Sequence, residues 1–330
     1  MISFQTLFYF LACNAVMLVI AMVIEALLGW PDWLYRKIGH PVSWIAKLIT
    51  WCDTRLNRNS ASSFRRKSAG IVTLLCCAGS AAVIAGGLAW LAGMFTADLM
   101  YLFIMGCLSW PFIASRSLYS HVRAVLVPLQ AQELQAARSA LGMIVGRQTT
   151  HLDASAIGCA AAESLAENTS DGVIAPLCWG LFGGYPGLVF YKAVNTLDSM
   201  IGYRDEKYAD FGWASARCDD VLNLLPARLT GLLFCICSIR PVSAFKVMMR
   251  DASAHLSPNA GWPEAALAGS MDVRLAGPRD YAYGRIDAPY IHPDGRKMQS
   301  DLLAGCLRCY LLVTGAALLI LCWIGIGILY

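Results

Sequence analysis

Leu7-Phe-Tyr-Phe-Leu-Ala-Cys-Asn-Ala-Val-Met-Leu-Val-Ile-Ala-Met-Val-Ile-Glu25-Ala-Leu-Leu28 decides what kind of chain this is. Coiled as a helix at about 1.5 Å per residue, it is long enough to cross a hydrocarbon core roughly 30 Å thick. Its one charge, Glu25, lies near the end, where a carboxylate either faces a polar interior or, the reading preferred from sequence, reaches the membrane interface. No Lys or Arg precedes it, so the basic n-region of a cleaved signal peptide is missing, and the apolar run is too long for one. The stretch reads as a first transmembrane span. Composition extends that reading to the whole, with 57% of the 330 residues hydrophobic and 15% charged, against about 25% charged in a soluble domain. The net charge of +4 is small, and the basic residues fall in loops between apolar runs. Membrane topology accounts for that distribution, and nucleic acid is excluded as a partner.

Outward from this span, residues 29–68 turn polar and basic, with Arg36, Lys37, Lys47, Arg55, Arg58, Arg65, Arg66 and Lys67. The positive-inside rule places the loop in the cytoplasm and the amino terminus outside. Within it, His40-Pro41-Val-Ser-Trp-Ile-Ala-Lys-Leu-Ile49 has helical apolar spacing after a proline start, which predicts a short surface helix with His40 as a turn or interface residue. Residues 69–95 and 99–114 read as the second and third spans, and residues 128–146 as an amphipathic cytoplasmic or interfacial helix. Residues 173–191 are apolar but interrupted by Pro176, Gly180, Gly183, Gly184, Pro186 and Gly187, so a straight crossing is not expected. Residues 229–238 are too few for a full crossing and read as re-entrant or buried. Residues 240–301 look soluble, and 311–330 form a charge-free last span that puts the carboxyl terminus outside. The expected fold is an all-α polytopic integral membrane protein with about four transmembrane helices, re-entrant or broken helices and cytoplasmic polar loops. It divides into N-terminal spans (1–115), a cytoplasmic-facing catalytic region (116–301) and a C-terminal span (302–330).

Chemistry concentrates in polar sequence set among apolar residues. In Glu163-Ser-Leu-Ala-Glu167-Asn-Thr-Ser-Asp171-Gly172, read as a helix capped by Asp153 and ended by Gly172, Glu163 and Glu167 share a face. Asp171 follows, offset by only about 80° at roughly 100° per residue. Like charges so placed need a cation, a basic partner or water, and magnesium takes oxygen ligands of this kind together with substrate phosphates. Further on, Asn195 shares a helix face with Asp198 and Ser199, with Lys192 a turn earlier. Asp219-Asp220-Val-Leu-Asn223 repeats the pattern, and Lys192, Arg204, Arg217 and Arg228 are candidates for neutralising phosphate. Ser257-Pro-Asn259-Ala-Gly-Trp-Pro263-Glu264 reads as a loop leading into a helix start, where backbone N–H groups accept an anion. Neither common nucleotide-binding glycine motif occurs. Most of the thirteen cysteines lie in apolar runs and read as small hydrophobes; Cys306-Leu-Arg-Cys309 has the spacing of half a zinc site, without a second pair.

Taken together, His40-Pro41-Val, Glu163 to Pro176, Tyr191-Lys-Ala-Val-Asn-Thr-Leu-Asp-Ser-Met-Ile-Gly-Tyr203, Asp219-Asp-Val-Leu-Asn223 with Pro226-Ala-Arg-Leu-Thr230, and Ser257 to Glu264 resemble the adenosylcobinamide-phosphate synthase family of cobalamin biosynthesis. The motifs are long and cover most of the chain in order. The resemblance implies ATP-dependent amide formation between adenosylcobyric acid, a corrinoid, and (R)-1-amino-2-propanol O-phosphate. It further implies a multi-pass protein of the bacterial inner membrane whose active site faces the cytoplasm. On that footing Glu163, Glu167, Asp171, Asn195 and Asp198 are expected around magnesium. Lys192, Arg204, Arg228 and Asn259 are expected on substrate phosphates, and Asp219 or Asp220 is expected to accept the proton of the attacking amine. A complex with other cobalamin-assembly enzymes is a further expectation. Two other classes use the same inventory: a membrane regulatory or sensor protein of this fold without ligase activity, and a small-molecule transporter built on broken helices.

Overall fold

The structure is a computed structural model, and it describes residues 4–58, 60–146, 148–203, 205–281, 284–286 and 288–326. It is helical almost throughout. In chain order the helices begin with α1 (Phe4–Leu28), α2 (Asp32–Ile38), α3 (Pro41–Leu56), α4 (Ser63–Leu74), α5 (Ser80–Phe95) and α6 (Asp98–Ser109). Next come α7 (Ser115–Gln130), α8 (Leu134–Leu141), α9 (Ala154–Thr169), α10 (Ala175–Ile201), α11 (Trp213–Leu222) and α12 (Leu224–Ile236). The series ends with α13 (Pro241–Asp251), α14 (Gly261–Met271) and α15 (Ser300–Ile326). Among the described residues four short strands, β1 (Leu275–Ala276), β2 (Arg279–Tyr281), β3 (Gly284–Ile286) and β4 (Tyr290–Ile291), make two antiparallel pairs, β1 with β4 and β2 with β3.

Among the described residues, five helical runs are long and apolar enough to cross a membrane: Gln5–Leu28, Ser63–Phe95, Asp98–Gln130, Ala154–Ile201 and Ser300–Ile326. Their outward faces carry large apolar side chains, among them Phe95 at 79% exposure, Leu99 at 82% and Trp323 at 76%. A surface of that kind belongs against hydrocarbon, so the fold is all-α and polytopic, as the sequence predicts. The additional run, Ala154–Ile201, contains the interrupted segment 173–191.

The chain forms two compact units, each discontinuous in sequence. The first comprises residues 1–114, 175–222 and 318–330. Its core gathers Ile49, Cys52, Cys77, Ala78, Ala193, Val194, Leu197, Ile201 and Phe211, which fixes the second half of α10 against α3 and the turn after α4. Inside α10 the helix is kinked at Gly184, whose φ of 62° and ψ of −159° lie outside helical space and suit a residue without a side chain. A kink at membrane depth leaves carbonyls without helical partners. Asn14, buried on α1, donates its amide N–H to the Leu181 carbonyl at 3.0 Å and satisfies one of them.

The second unit comprises residues 115–174 and 223–317. Helix α14 is its most enclosed element, with Ala265, Ala266, Leu267 and Ala268 fully buried. α14 packs on both α12 and α13. Small side chains along α14 allow that approach.

Several boundaries differ from expectation. Gly172 does not end the central helix; a π-turn at Ser170–Ile174 carries it on into α10. One glycine costs a helix interior only about 1 kcal/mol, which surrounding burial offsets. The amphipathic stretch 128–146 is not one helix, because Pro128 lies in the last turns of α7 and Gln132, at φ 61°, separates α7 from α8. The segment expected at 229–238 starts earlier, at Leu224. The proline start of α3 and the Asp153 cap of α9 are as predicted; Asp153 accepts a hydrogen bond from Ala156 N at 2.7 Å.

Candidate functional site

In the first unit the polar residues of α10 and α11 form a chain. Lys192 and Asn195 lie one turn apart, and Lys192 Nζ donates to Asn195 Oδ1 at 3.2 Å. Asn195 Nδ2 in turn donates to Asp219 Oδ1 at 3.4 Å, across the packed pair α10 and α11. Asn195 and Asp219 are both buried, at 8% and 7% exposure, where an unsatisfied polar group costs about 1–3 kcal/mol. Asp198 is half-buried one turn further along α10, folded close over Gly202. Asp220 points elsewhere, to an exposed ion pair with Arg217 at 3.3 Å. Arg204 lies outside the described residues.

His40 faces the same chain. Its Nδ1 accepts a hydrogen bond from Val42 N at 3.2 Å, and its backbone N–H is received by Ser43 Oγ, a reciprocal cap at the start of α3. Burial, followed by the positive charge of Lys192, pushes its imidazole down to about 4. It is a neutral acceptor at neutral pH. The sequence predicts a turn residue, which is right, but gives no sign of the approach to Lys192.

In the second unit Glu163 is buried on α9 and its Oε1 accepts a hydrogen bond from Ala276 N at 2.8 Å, which ties β1 to the helix. Glu167 is exposed and Asp171, in the π-turn, is half-buried. That turn interrupts the α-helical register on which the 80° offset was reckoned. Among the described residues no group of three or more His, Cys, Asp or Glu is arranged to hold a metal ion.

Arg228 and Asn259 do meet. Arg228 Nη1 donates to Asn259 Oδ1 at 3.1 Å, and its guanidinium lies 4.6 Å over the Trp262 ring. Ser257 Oγ accepts from the N–H groups of both Asn259 and Ala260 at 3.2 Å. The donors that the loop was expected to offer an anion are thus engaged by Ser257, while the guanidinium lies over its aromatic neighbour. His255 stands 3.6 Å from the buried Glu264 behind the loop.

The fold and these buried polar chains define an integral membrane protein whose apolar helices carry chemistry-bearing side chains inward. The chain belongs to the CobD/Cbib protein family, whose model matches residues 18–310. A cobalamin biosynthesis protein CobD of Rhodobacter capsulatus is 50% identical over 295 residues, covering 88% of this chain and 91% of the relative. A protein of the same description from a Sinorhizobium species is 43% identical, covering 87% and 91%, and one from Rhizobium meliloti 42% identical, covering 84% and 86%. No solved structure matches.

Proposed function

We propose that this protein acts in cobalamin biosynthesis as an ATP-dependent ligase that joins adenosylcobyric acid to (R)-1-amino-2-propanol O-phosphate, giving adenosylcobinamide phosphate. The observation that carries the reading is the 50% identity, over 88% of the chain, to a relative described as a cobalamin biosynthesis protein. A carboxylate does not react with an amine until its oxygen is made a leaving group, and ATP supplies the phosphoryl group for that. The amine must also lose a proton to attack. Asp219 is the better acceptor of the two aspartates, because its carboxylate is buried and oriented by Asn195, whereas Asp220 is engaged with Arg217. Lys192 and Arg228, with Arg204 and Asn259, are the groups for substrate phosphates. On this reading magnesium arrives with the nucleotide, and Glu167 and Asp171 supply the one or two carboxylates such an ion takes beside phosphate oxygens. Glu163, Asn195 and Asp198 orient their neighbours. The chemistry runs at the cytoplasmic face of the bacterial inner membrane, alongside other cobalamin-assembly enzymes.

Purified protein supplied with ATP, magnesium, the corrinoid acid and the amino-alcohol phosphate is expected to release nucleotide product and amide in step. Glu167→Gln, Asp198→Asn and Asp219→Asn are each expected to lower turnover by about 100-fold or more, with membrane insertion unchanged. Absence of amide from the wild type, under conditions that support an active homologue, overturns the ligase reading.

A further inference from the structure

A groove of about 270 Å³ in the second unit runs between α7 and α15 and belongs to none of the sequence motifs. Tyr310 Oη donates to the Ser115 carbonyl at 2.6 Å, which pins α15 beside the start of α7. Beyond that pin the groove takes Tyr119, Arg123 and Gln130 from α7 and Arg308 from α15, and apolar side chains, Val127 and Leu311 among them, make up the rest of its lining. Arg123 and Arg308 are both exposed, and among the described residues neither makes an ion pair. No described carboxylate lines the groove. The nearest acid to Arg308 in sequence is Asp301, two turns before it and about 10 Å away along the helix axis. Asp301 borders a neighbouring cavity, which Arg308 shares with Arg240 and Arg296. Those two arginines are matched there to Asp272, at 3.0 and 3.5 Å. Glu133, past the end of α7, is exposed and lines neither space.

Depth in the membrane decides what kind of anion these arginines meet. No charged residue follows Arg308 in the chain, and residues 309–326 rise about 27 Å as helix, close to the whole thickness of a hydrocarbon core. Arg308 therefore stands at the edge of the bilayer, level with lipid headgroups. Arg123 likewise comes after a charge-free stretch, 99–115, of a run long enough to cross. Two guanidiniums in a groove without a carboxylate call for an anion, and a guanidinium matches phosphate oxygens with paired hydrogen bonds. Val127 and Leu311, which line the same groove, are 50% and 48% exposed, so the groove continues into the surface that faces hydrocarbon. A ligand with an anionic head and apolar chains satisfies both parts, and basic pockets between membrane helices hold such headgroups. We propose that this groove binds one anionic phospholipid of the bilayer, its phosphodiester on Arg123 and Arg308 and its acyl chains along Val127 and Leu311. The volume lies just below the roughly 300–1,000 Å³ of sites that enclose a whole small molecule, which suits a headgroup whose chains run on outside.

Native mass spectrometry of the full chain, released from maltoside micelles with added phosphatidylglycerol or phosphatidylethanolamine, tests this. One phosphatidylglycerol is expected to stay bound at concentrations where phosphatidylethanolamine does not. Arg123→Gln and Arg308→Gln are each expected to weaken phosphatidylglycerol binding by about 5-fold, as one charge near a headgroup predicts. Arg308→Lys, which keeps the charge, is expected to bind more tightly than Arg308→Gln. Lys47→Gln, which removes an exposed charge in the basic loop of the first unit, is expected to bind as the wild type does. Should Arg308→Gln fail to fold, Arg123→Gln decides. Equal retention of the two lipids overturns the proposal, since a groove built for an acidic protein segment would not discriminate between them. So does an equal loss in Lys47→Gln, which would make the effect one of general surface charge. Displacement of the lipid by an equal concentration of glycerophosphoglycerol, the headgroup without chains, also overturns it, because the groove would then serve a soluble phosphate.

Discussion

His40 combines three roles in one side chain: it caps α3, stacks edge-on against Trp30 at 4.8 Å and faces the charge of Lys192. Burial, the cap's use of Nδ1 as an acceptor and the charge of Lys192 all favour the neutral ring. Its pKa in the fold, about 4, lies below the value near 6.5 of an unfolded chain. As pH falls, the unfolded state therefore takes up the proton first. The stability that His40 contributes is complete above about 6.5 and is lost as pH drops from there toward 4. The thermal midpoint of detergent-solubilised protein is expected to fall more steeply between pH 7 and pH 5 in the wild type than in His40→Asn, because asparagine keeps an N-cap acceptor but does not titrate. Equal slopes would sink the assignment. At this scale the sequence shows which residue types gather but not what they touch. Lys192, Asn195 and Asp219 are visible as helix-face spacings, and α10 packing on α11 joins them. Arg274 and Tyr290, whose guanidinium and ring lie 4.6 Å apart, are not visible, because two-residue strands are too short to show alternation and it is their register that unites the pair.

Broken helices explain more of the architecture than straight ones. The run of Pro and Gly in residues 173–191 predicts an interruption, and the structure localises it to Gly184. The partner that makes the interruption tolerable was not legible, since Asn14 sits alone in the apolar sequence of α1 and no periodicity marks it. In that environment a lone amide needs a reason, and the Leu181 carbonyl supplies it. Asn14→Leu keeps the volume but removes the donor, leaving a part-buried carbonyl without it at a cost of about 1 kcal/mol. A lower thermal midpoint and earlier proteolysis within α10 are expected. A midpoint equal to wild type would show that the kink needs no such support. The π-turn before α10 was equally hidden, because five-residue hydrogen bonding leaves no compositional mark that Gly172 and Asp171 would not also give a helix end.

At the scale of the whole molecule the open matter is parity. Five runs crossing once each put the two ends of the chain on opposite faces, and put residues 205–299 opposite the basic loop at 29–62. The charges oppose that arrangement, because Lys207, Arg217, Arg228, Arg240, Lys246 and Arg250 would all be translocated. The geometry of Ala154–Ile201 offers the alternative. Its 48 residues measure about 72 Å as helix, far more than a core of roughly 30 Å, and the run is kinked at Gly184. A run of that length with a kink inside it is expected to enter and return, which would keep the basic segments on both sides of it in the cytoplasm. Reporter fusions after residues 60 and 250 are expected to signal from the cytoplasm and a fusion after residue 97 from outside. An external signal at 250, with 60 still internal, would make Ala154–Ile201 a true crossing. It would also put Asp219, in the segment that follows the run, on the face away from cytoplasmic ATP, which the ligase reading does not survive.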